Sequence, residues 1–430
     1  MSAATKNLNG YGAIPGHWDV AALPDAVFFQ EGPGLRKWQW TESGMKVINV
    51  TNILGDGRID TNNTSRFISK EEYEKSYRHF TVDAGDIVVA SSGNTYGKVG
   101  RISAKDLPLM MNTSVIRFRS SDPKKLNDEF LYAFLRSEVF LNQVESFVIG
   151  SAQPNFGPTH LKRMVMPLPP LPVQQRIAGI LSAYDELIEN SQRRIKILES
   201  MARALYREWF VHFRFPGAEN HPRVASPLGE IPQGWEVKLV ADAIVISGGG
   251  TPSRKEDEYW VGGTIQWYSP SDLTRACTMF MDDSSDHITE RGLSQSSARM
   301  FPARSVMLTS RATIGAIAIN TQPACTNQGF ITCLPNKRVP LYYLFHWLTE
   351  NVPTFQRMAS GATFKEISRG VFKTIGFLQP PDEVVGQFEN IAAPMAEQVL
   401  ALQRQIQNLR RTRDLLLPRL LSGQIAVDAA

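Results

Sequence analysis

The sequence predicts an α+β protein of two globular blocks separated by two long helices that pair as an antiparallel coiled coil, the whole forming a pseudo-twofold internal repeat. An opening motif carries the first part of this, occurring as Ile14-Pro15-Gly16-His17-Trp18 and again 217 positions on as Ile231-Pro232-Gln233-Gly234-Trp235. Each copy opens a stretch of short apolar segments broken by turn residues. Each stretch then closes in a long run of apolar residues with four-three spacing, and the two runs lie at a constant offset of 211. Repeats of this length decide an architecture before any local detail does.

In the first block the segments 45–50, 86–90 and 114–118 read as strands, punctuated by turn clusters at 55–57 and 91–94. A helix is expected near 128–144. The second block repeats the order, with strands at 262–268, 305–309 and 329–332 and a helix near 341–355. Between the openings and the helices, residues 91–97 (Ser-Ser-Gly-Asn-Thr-Tyr-Gly) fall opposite 309–315 (Thr-Ser-Arg-Ala-Thr-Ile-Gly) at an offset of 218.

Proline runs at 167–172 and 380–381 then mark rigid helix entries, since proline at a helix start loses no hydrogen bond. Positions 177, 181, 184, 188, 191, 195, 198, 202, 205 and 209 are apolar except Ser191, and the matching positions 388 to 420 are apolar except Arg413. The seam residues are Ile177, Leu181, Ile188, Ile195, Leu198 and Leu205 on one helix and Met395, Val399, Ile406, Leu409 and Leu416 on the other. Such a narrow stripe over more than four heptads is a coiled-coil seam rather than the broader face of a helix lying on its own domain. About 33 residues at about 1.5 Å each make a rod of roughly 50 Å. Spacing alone leaves both orientations open, while the turn-rich linker favours the antiparallel one. The expected division is 1–165 first block, 166–212 first helix, 213–230 linker, 231–378 second block and 379–425 second helix.

Composition bounds the function. The 430 residues carry a net charge of +4, and the two blocks are nearly neutral, with 19 basic against 17 acidic residues in 1–165 and 16 against 16 in 211–385. Bulk charge therefore does not announce a nucleic-acid binder, and any basic surface must come from arrangement. The amino terminus lacks the apolar core of a signal peptide, and no apolar run approaches the roughly 18 residues of a membrane span. Only Cys277, Cys325 and Cys333 occur, all in the second half, so the copies share no disulfide framework and a reducing cytoplasm is the expected compartment.

Catalytic constellations are missing. Residues 93–99 resemble a phosphate loop but are one residue short and end in Val99, where a hydroxyl should bind magnesium. The seven histidines have no paired helical spacing, and Cys325 and Cys333 have no second ligand pair, so no metal site is expected. Gly248-Gly249-Gly250-Thr251-Pro252-Ser253 runs into proline rather than a helix and reads as a turn.

The string Leu168-Pro169-Pro170-Leu171-Pro172-Val173-Gln174-Gln175-Arg176-Ile177-Ala178, together with residues 203–210 (Arg-Ala-Leu-Tyr-Arg-Glu-Trp-Phe), the paired openings, and residues 415–425 (Leu-Leu-Leu-Pro-Arg-Leu-Leu-Ser-Gly-Gln-Ile), resembles the specificity subunit of type I restriction-modification systems over essentially the full length. The resemblance implies that each block is a target-recognition domain and that the coiled coil sets the distance between the halves of a split DNA site. It implies a non-catalytic chain whose partners are double-stranded DNA, two methyltransferase subunits and, in restriction-competent assemblies, two restriction (translocase/nuclease) subunits, with no membrane. S-adenosylmethionine is then expected on the methyltransferase subunits and not on this chain. Consistently, no Asn-Pro-Pro-Tyr or Asp-Pro-Pro-Tyr string occurs, and Gln379-Pro380-Pro381-Asp382 lacks both the leading residue and the aromatic.

Under that reading the DNA-binding candidates are Lys98 and Arg101 beside the first loop, Arg311 in its counterpart, Gln153 and Asn155 in the segment 150–156, and Lys365 in the segment opposite. Amides suit adenine and arginine suits guanine, while lysine more often holds phosphate. Unlike polar residues in matched loops, Lys98 against Ala316 and Gln153 against Thr363, predict unlike half-sites. Tyr206, Trp209 and Phe210 near the first helix end are either partner-facing or core, with the core role expected for Trp209. A coiled-coil scaffold that never touches DNA is the alternative from another class, and a fragment of a fused methyltransferase or nuclease is a third.

Overall fold

Alternating β-branched and aromatic residues build the strands, and the same set of strands is assembled twice. The computed structural model describes residues 5–8, 12–62, 64, 66–93, 96–148, 155–361 and 365–427. It divides into two compact units, Met1–Ile188 with Asn408–Ala430, and Glu189–Gln407.

In the first unit a four-stranded sheet runs in the order Val27–Glu31, Val115–Ser120, Ile87–Ala90, Val99–Arg101. Beside it lies a three-stranded sheet, Phe67–Ile68, Met45–Ile48, Met110–Met111, whose central strand is antiparallel to the first and parallel to the third. The second unit repeats both. Its larger sheet is Val245–Gly248, Phe330–Leu334, Val306–Thr309, Ile317–Asn320 with Phe280–Met281 added at the edge, and its smaller sheet is Asp286–Ile288, Ile265–Tyr268, Ala324–Thr326. Each of the six segments read as a strand from the sequence contains one, the first ending at Ile48 and the fourth beginning only at Ile265. The expected first-block helix is instead two, Asp128–Leu135 and Glu138–Val148, because the Ser137 hydroxyl donates to the Phe134 carbonyl and accepts from the Phe140 N–H, restarting the chain. Its counterpart Leu341–Met358 continues through Pro353.

Each opening motif is tied twice. Asp19–Ala22 pairs with Val165–Leu168, and Glu236–Leu239 pairs with Gly376–Gln379, so the start of each block is hydrogen-bonded to the strand that feeds a long helix. The tryptophans then dock on helix ends. Trp18 and Pro15 crowd Gly423, where a Cβ would fall 2.4 Å from Pro15 Cγ, and Gly423 has the left-handed φ of +71° that ends the second long helix. Trp235 packs against Phe210, Phe213 and Phe215 at the end of the first, with ring centroids 5.3–5.9 Å apart.

The two long helices are Leu171–Tyr206, continued to Val211 as a π-turn, and Asp382–Leu421. Within the first unit, Ile177, Ala178 and Leu181 share a core with Leu416, Leu417, Leu420 and Leu421. Within the second, Ile195, Leu198, Leu205 and Tyr206 share one with Phe388, Ala392, Ala396 and Val399. In both units residues early on one helix meet residues late on the other, so the halves run antiparallel. All twenty seam positions are buried or half-buried, including Ser191 and Arg413. Arg413 is tolerated because Asp185 of the first helix answers it at 2.5 Å while also holding Arg136 of the block at 2.6 Å. Tyr206, Trp209 and Phe210 are all core residues of the second unit.

Two titratable groups seat Leu341–Met358 on the second unit's helices. Pro340 offers no capping side chain, and the Glu389 carboxylate takes that place by accepting from the Tyr343 N–H at 2.6 Å. Burial pushes its carboxyl up to about 7, against the pull of the Tyr343 and Tyr342 N–H groups. His346 stacks on Tyr206 with centroids 5.7 Å apart, and burial, then Arg203, pushes it down to about 4. A raised carboxyl gives stability that is present below its ordinary 4.5 and lost as pH rises through about 7; a depressed histidine gives stability present above 6.5 and lost as pH falls toward about 4. Glu389→Gln should therefore raise the melting temperature at pH 8 by a few degrees, about 1–3 kcal/mol. By differential scanning calorimetry that gain should vanish near pH 4.5, while the His346 loss on the acid side persists in the variant.

Candidate nucleic-acid interface

At one end of each larger sheet the chain turns through loops, and here the two units share a backbone frame. In the first, Ser91 N–H donates to the Ser114 carbonyl, Phe156 N–H donates to the Ser91 carbonyl, and Ser92 bridges Asn155. In the second, Ser310 N–H donates to Gly329, Ile367 N–H donates to Ser310, and Arg311 bridges Glu366. Ser91 and Ser310 thus occupy the same node, an offset of 219 rather than the expected 218. The offset returns to 218 at Gly97 and Gly315, whose N–H groups donate to Ala90 and Thr309. A loop one residue shorter in the second unit absorbs the difference.

The frame pairs Ser92 with Arg311 and Asn155 with Glu366. It also pairs Glu31 with Gly248, since their strand partners Ile116 and Ile331 hold the same place. Burial pushes the Glu31 carboxyl above its ordinary value, opposed by the Thr113 hydroxyl 3.5 Å away. Opposite, a Cβ on Gly248 would fall 2.0 Å from Arg369 Nη1, so glycine lets that guanidinium lie on the backbone. Neither Glu31 nor Arg369 stood out in the sequence, because nothing in a single chain marks which strand end meets which helix start.

Asn155 is exposed on this frame, and so are Arg311, with Glu366 Oε2 3.9 Å from its Nε, and Lys365, whose carbonyl accepts from Ala312 N–H. Gln153 lies outside the described residues. Lys98 lays its stem over Gly55, 3.3 Å from where a Cβ would be, and lines a hollow of about 460 Å³ with Glu129, Asp185 and Arg413. Arg101 is half-buried, paired with Glu129 at 2.5 Å and stacked over the Tyr132 ring at 4.3 Å. The structure therefore brings Asn155 together with the first loop and Arg311 with Lys365, and it sets Lys98 and Arg101 on the inner side toward the helices of their own unit.

The remaining motifs resolve as packing. Of the segment 93–99, Asn94 and Thr95 lie outside the described residues, and Gly97 and Lys98 lead into the strand Val99–Arg101 and not into a helix. Gly249 and Gly250 are pressed against Asn327 and Ser297, where a Cβ would fall 2.0 and 2.2 Å from the nearest atoms. Cys325 and Cys333 are buried, and burial pushes the Cys325 thiol up to about 12. Among the described residues no group of three or more His, Cys, Asp or Glu is placed to hold a metal, and no helix is long and apolar enough to cross a membrane.

Comparison with known proteins gives the class. Residues 15–200 and 232–395 each match the family described as the type I restriction modification DNA specificity domain. The chain is similar to the type I restriction enzyme MjaIX specificity subunit of Methanocaldococcus jannaschii, 25% identical over 428 residues covering 97% of this chain and 95% of the relative. The HindI specificity subunit of Haemophilus influenzae is 24% identical over 316 residues, 60% of this chain and 68% of the relative. The crystal structure of the type I restriction-modification S subunit from M. genitalium shares the fold, with a TM-score of 0.57 at 17% identity over 98% of this chain and 99% of that one. The chain belongs to the specificity subunits of type I restriction-modification systems, a class whose task is DNA sequence recognition.

The placement of the basic residues predicts two different responses to substitution. Arg101→Ala should lower thermal stability by about 1–2 kcal/mol, from loss of a half-buried ion pair and its ring contact, and leave the salt dependence of DNA binding unchanged. Lys365→Ala should leave stability alone and reduce the slope of log K against log salt by about one. Melting curves and fluorescence anisotropy across a salt series check both.

Proposed function

We propose that each unit reads one half of an asymmetric bipartite site in double-stranded DNA, and that the paired helices set the spacer between the halves. The observation that carries this is the shared frame bearing unlike polar side chains: Ser92, Asn155 and Glu31 in one unit, Arg311, Glu366 and Gly248 under Arg369 in the other. Backbone bonds hold such positions in place, and hydrogen-bonding side chains on them can report base identity from a groove. A domain kept only for scaffolding has no need to keep the frame and vary the side chains.

The chain itself performs no chemistry in this reading. Two adenine methyltransferase subunits carry S-adenosylmethionine and flip the target base. Restriction subunits join where the system cleaves, and the assembly acts in the cytoplasm on the cell's own DNA. Binding by phosphate contact makes affinity fall steeply with salt, which a scaffold without DNA would not show.

Co-expression with the methyltransferase subunits of its system, followed by mapping of methylated adenine across the host DNA, tests the reading. The expected result is one split motif with unlike halves and a fixed spacer, of about one to one and a half helical turns between half-site centres at ~34 Å per turn. A palindrome with identical halves would refute the asymmetry. Removing one heptad from each long helix should shorten the preferred spacer in the same assay; an unchanged spacer would mean that the helices do not measure it.

A further inference from the structure

The least explained surface feature is a tryptophan held out in solvent. Trp38 is 80% exposed, although indole is among the most costly side chains to leave in water. It sits in the 3-10 turn Lys37–Gln39 between Arg36 and Trp40. Both flanks of that turn are fixed. Leu35 and Trp40 pack into the small core of Val47, Ile68, Tyr73 and Met110, while buried Gln39 donates to the Glu72 carboxylate and to Tyr77 Oη. The Gln39 side chain also accepts from the Arg36 N–H at 2.7 Å. A turn anchored on both sides presents its outward ring rigidly. Trp38 is therefore displayed by the fold and not merely left uncovered.

Its neighbours point to a polyanion. Arg36 and Lys37 are exposed, and among the described residues neither enters an ion pair. Arg66 lies over the ring of Trp40, the residue that ends the turn, at 5.3 Å.

The second unit supplies an internal comparison. Asn112 N–H donates to the Ile48 carbonyl and Asn327 N–H to the Tyr268 carbonyl, so Ile48 and Tyr268 are equivalent and the offset here is 220. Trp40 then matches Trp260, which carries its own cation, Arg254, at 3.6 Å. The turn Asp257–Tyr259 repeats the hydrogen bonds of Lys37–Gln39, Gln39 to Arg36 and Trp40 to Lys37 becoming Tyr259 to Glu256 and Trp260 to Asp257. On this one frame Arg36-Lys37-Trp38 is replaced by Glu256-Asp257-Glu258. One unit has two cations and an indole where the other has three carboxylates, one of them paired with Arg291.

We infer that the turn Arg36–Lys37–Trp38 is a double-stranded DNA contact of the first unit alone, in which the indole wedges against a base step while Arg36 and Lys37 hold the flanking phosphates. This rests on the DNA-reading function proposed above. An apolar ring between two phosphate-seeking cations is the arrangement that unstacks or packs on a base step, and three carboxylates at the equivalent turn would be repelled by the same backbone. The contact therefore belongs to one half-site only, and it adds to the asymmetry that the loop frame sets up.

The test uses the full chain assembled with its methyltransferase subunits, with anisotropy on a duplex carrying the mapped site and on an unrelated duplex. Trp38→Ala should weaken binding to the mapped duplex about tenfold, the scale of losing one aromatic contact to a base. Its melting temperature, its assembly and its salt slope should stay at wild-type values, and Trp38→Phe should recover most of the loss. Arg36→Ala with Lys37→Ala should lower the salt slope by about two on both duplexes. Trp38→Ala binding within twofold of wild type would overturn the inference while leaving the DNA-reading function intact. So would failure of the folded variant to assemble, which would make Trp38 a protein contact. A wild-type complex that did not prefer the mapped duplex would instead remove the function itself, and the inference with it.

Discussion

The joint between a tryptophan and a helix end governs how each recognition unit is held. A four-three seam buries only a narrow stripe, and a block of short strands has no large face of its own to offer a helix. Trp18 against Gly423 and Trp235 against Phe210 and Phe215 extend the seam's apolar contact into each block. The strands beside those motifs, Asp19–Ala22 and Glu236–Leu239, then hydrogen-bond to the segments that enter the long helices. Opening, helix entry and helix end thus close on one another, and the rest of each block hangs from that closure. Where the apolar seam is interrupted, at Arg413, a carboxylate on the partner helix makes good the loss.

Much of this was legible in the sequence because it depends on period and on repetition. The seam positions needed only their spacing, and all of them are buried or half-buried. The strands at 45–48, 87–90 and 306–309 needed only a short β-branched run between turns. What was not legible depends on contacts distant in sequence. Arg101 looked like a free loop cation, yet Glu129 and Tyr132 hold it, and neither lies near it in the chain. The break at Ser137 comes from one hydroxyl choosing the Phe134 carbonyl, a local competition that helix periodicity does not register. The one-residue difference between the loops at Ser91 and Ser310 was hidden because aligned strings look alike when their glycines match.

Trp38 shows a different limit. A tryptophan among 22 phenylalanines, 11 tyrosines and seven other tryptophans reads as core by default, and only its 80% exposure separates it from Trp40 two residues later. Once Ile48 and Tyr268 are known to be equivalent, however, the acidic replacement at 256–258 becomes visible in the sequence itself. The repeat therefore contained the comparison, but the register that makes it readable lay in two backbone hydrogen bonds.

The divergent positions, 92 against 311, 155 against 366, 31 against 248 and 36–38 against 256–258, sit on frames whose shared hydrogen bonds run through backbone atoms. Backbone partners do not depend on side-chain identity, so substitution there alters surface chemistry at little cost to stability. The core residues beneath, such as Phe118, Phe156, Phe330 and Phe372, are fully buried and carry the opposite constraint. Folding and surface chemistry are thereby assigned to different atoms of the same residues. That separation permits two copies of one fold to keep their helical seam in register while the side chains on their loops diverge.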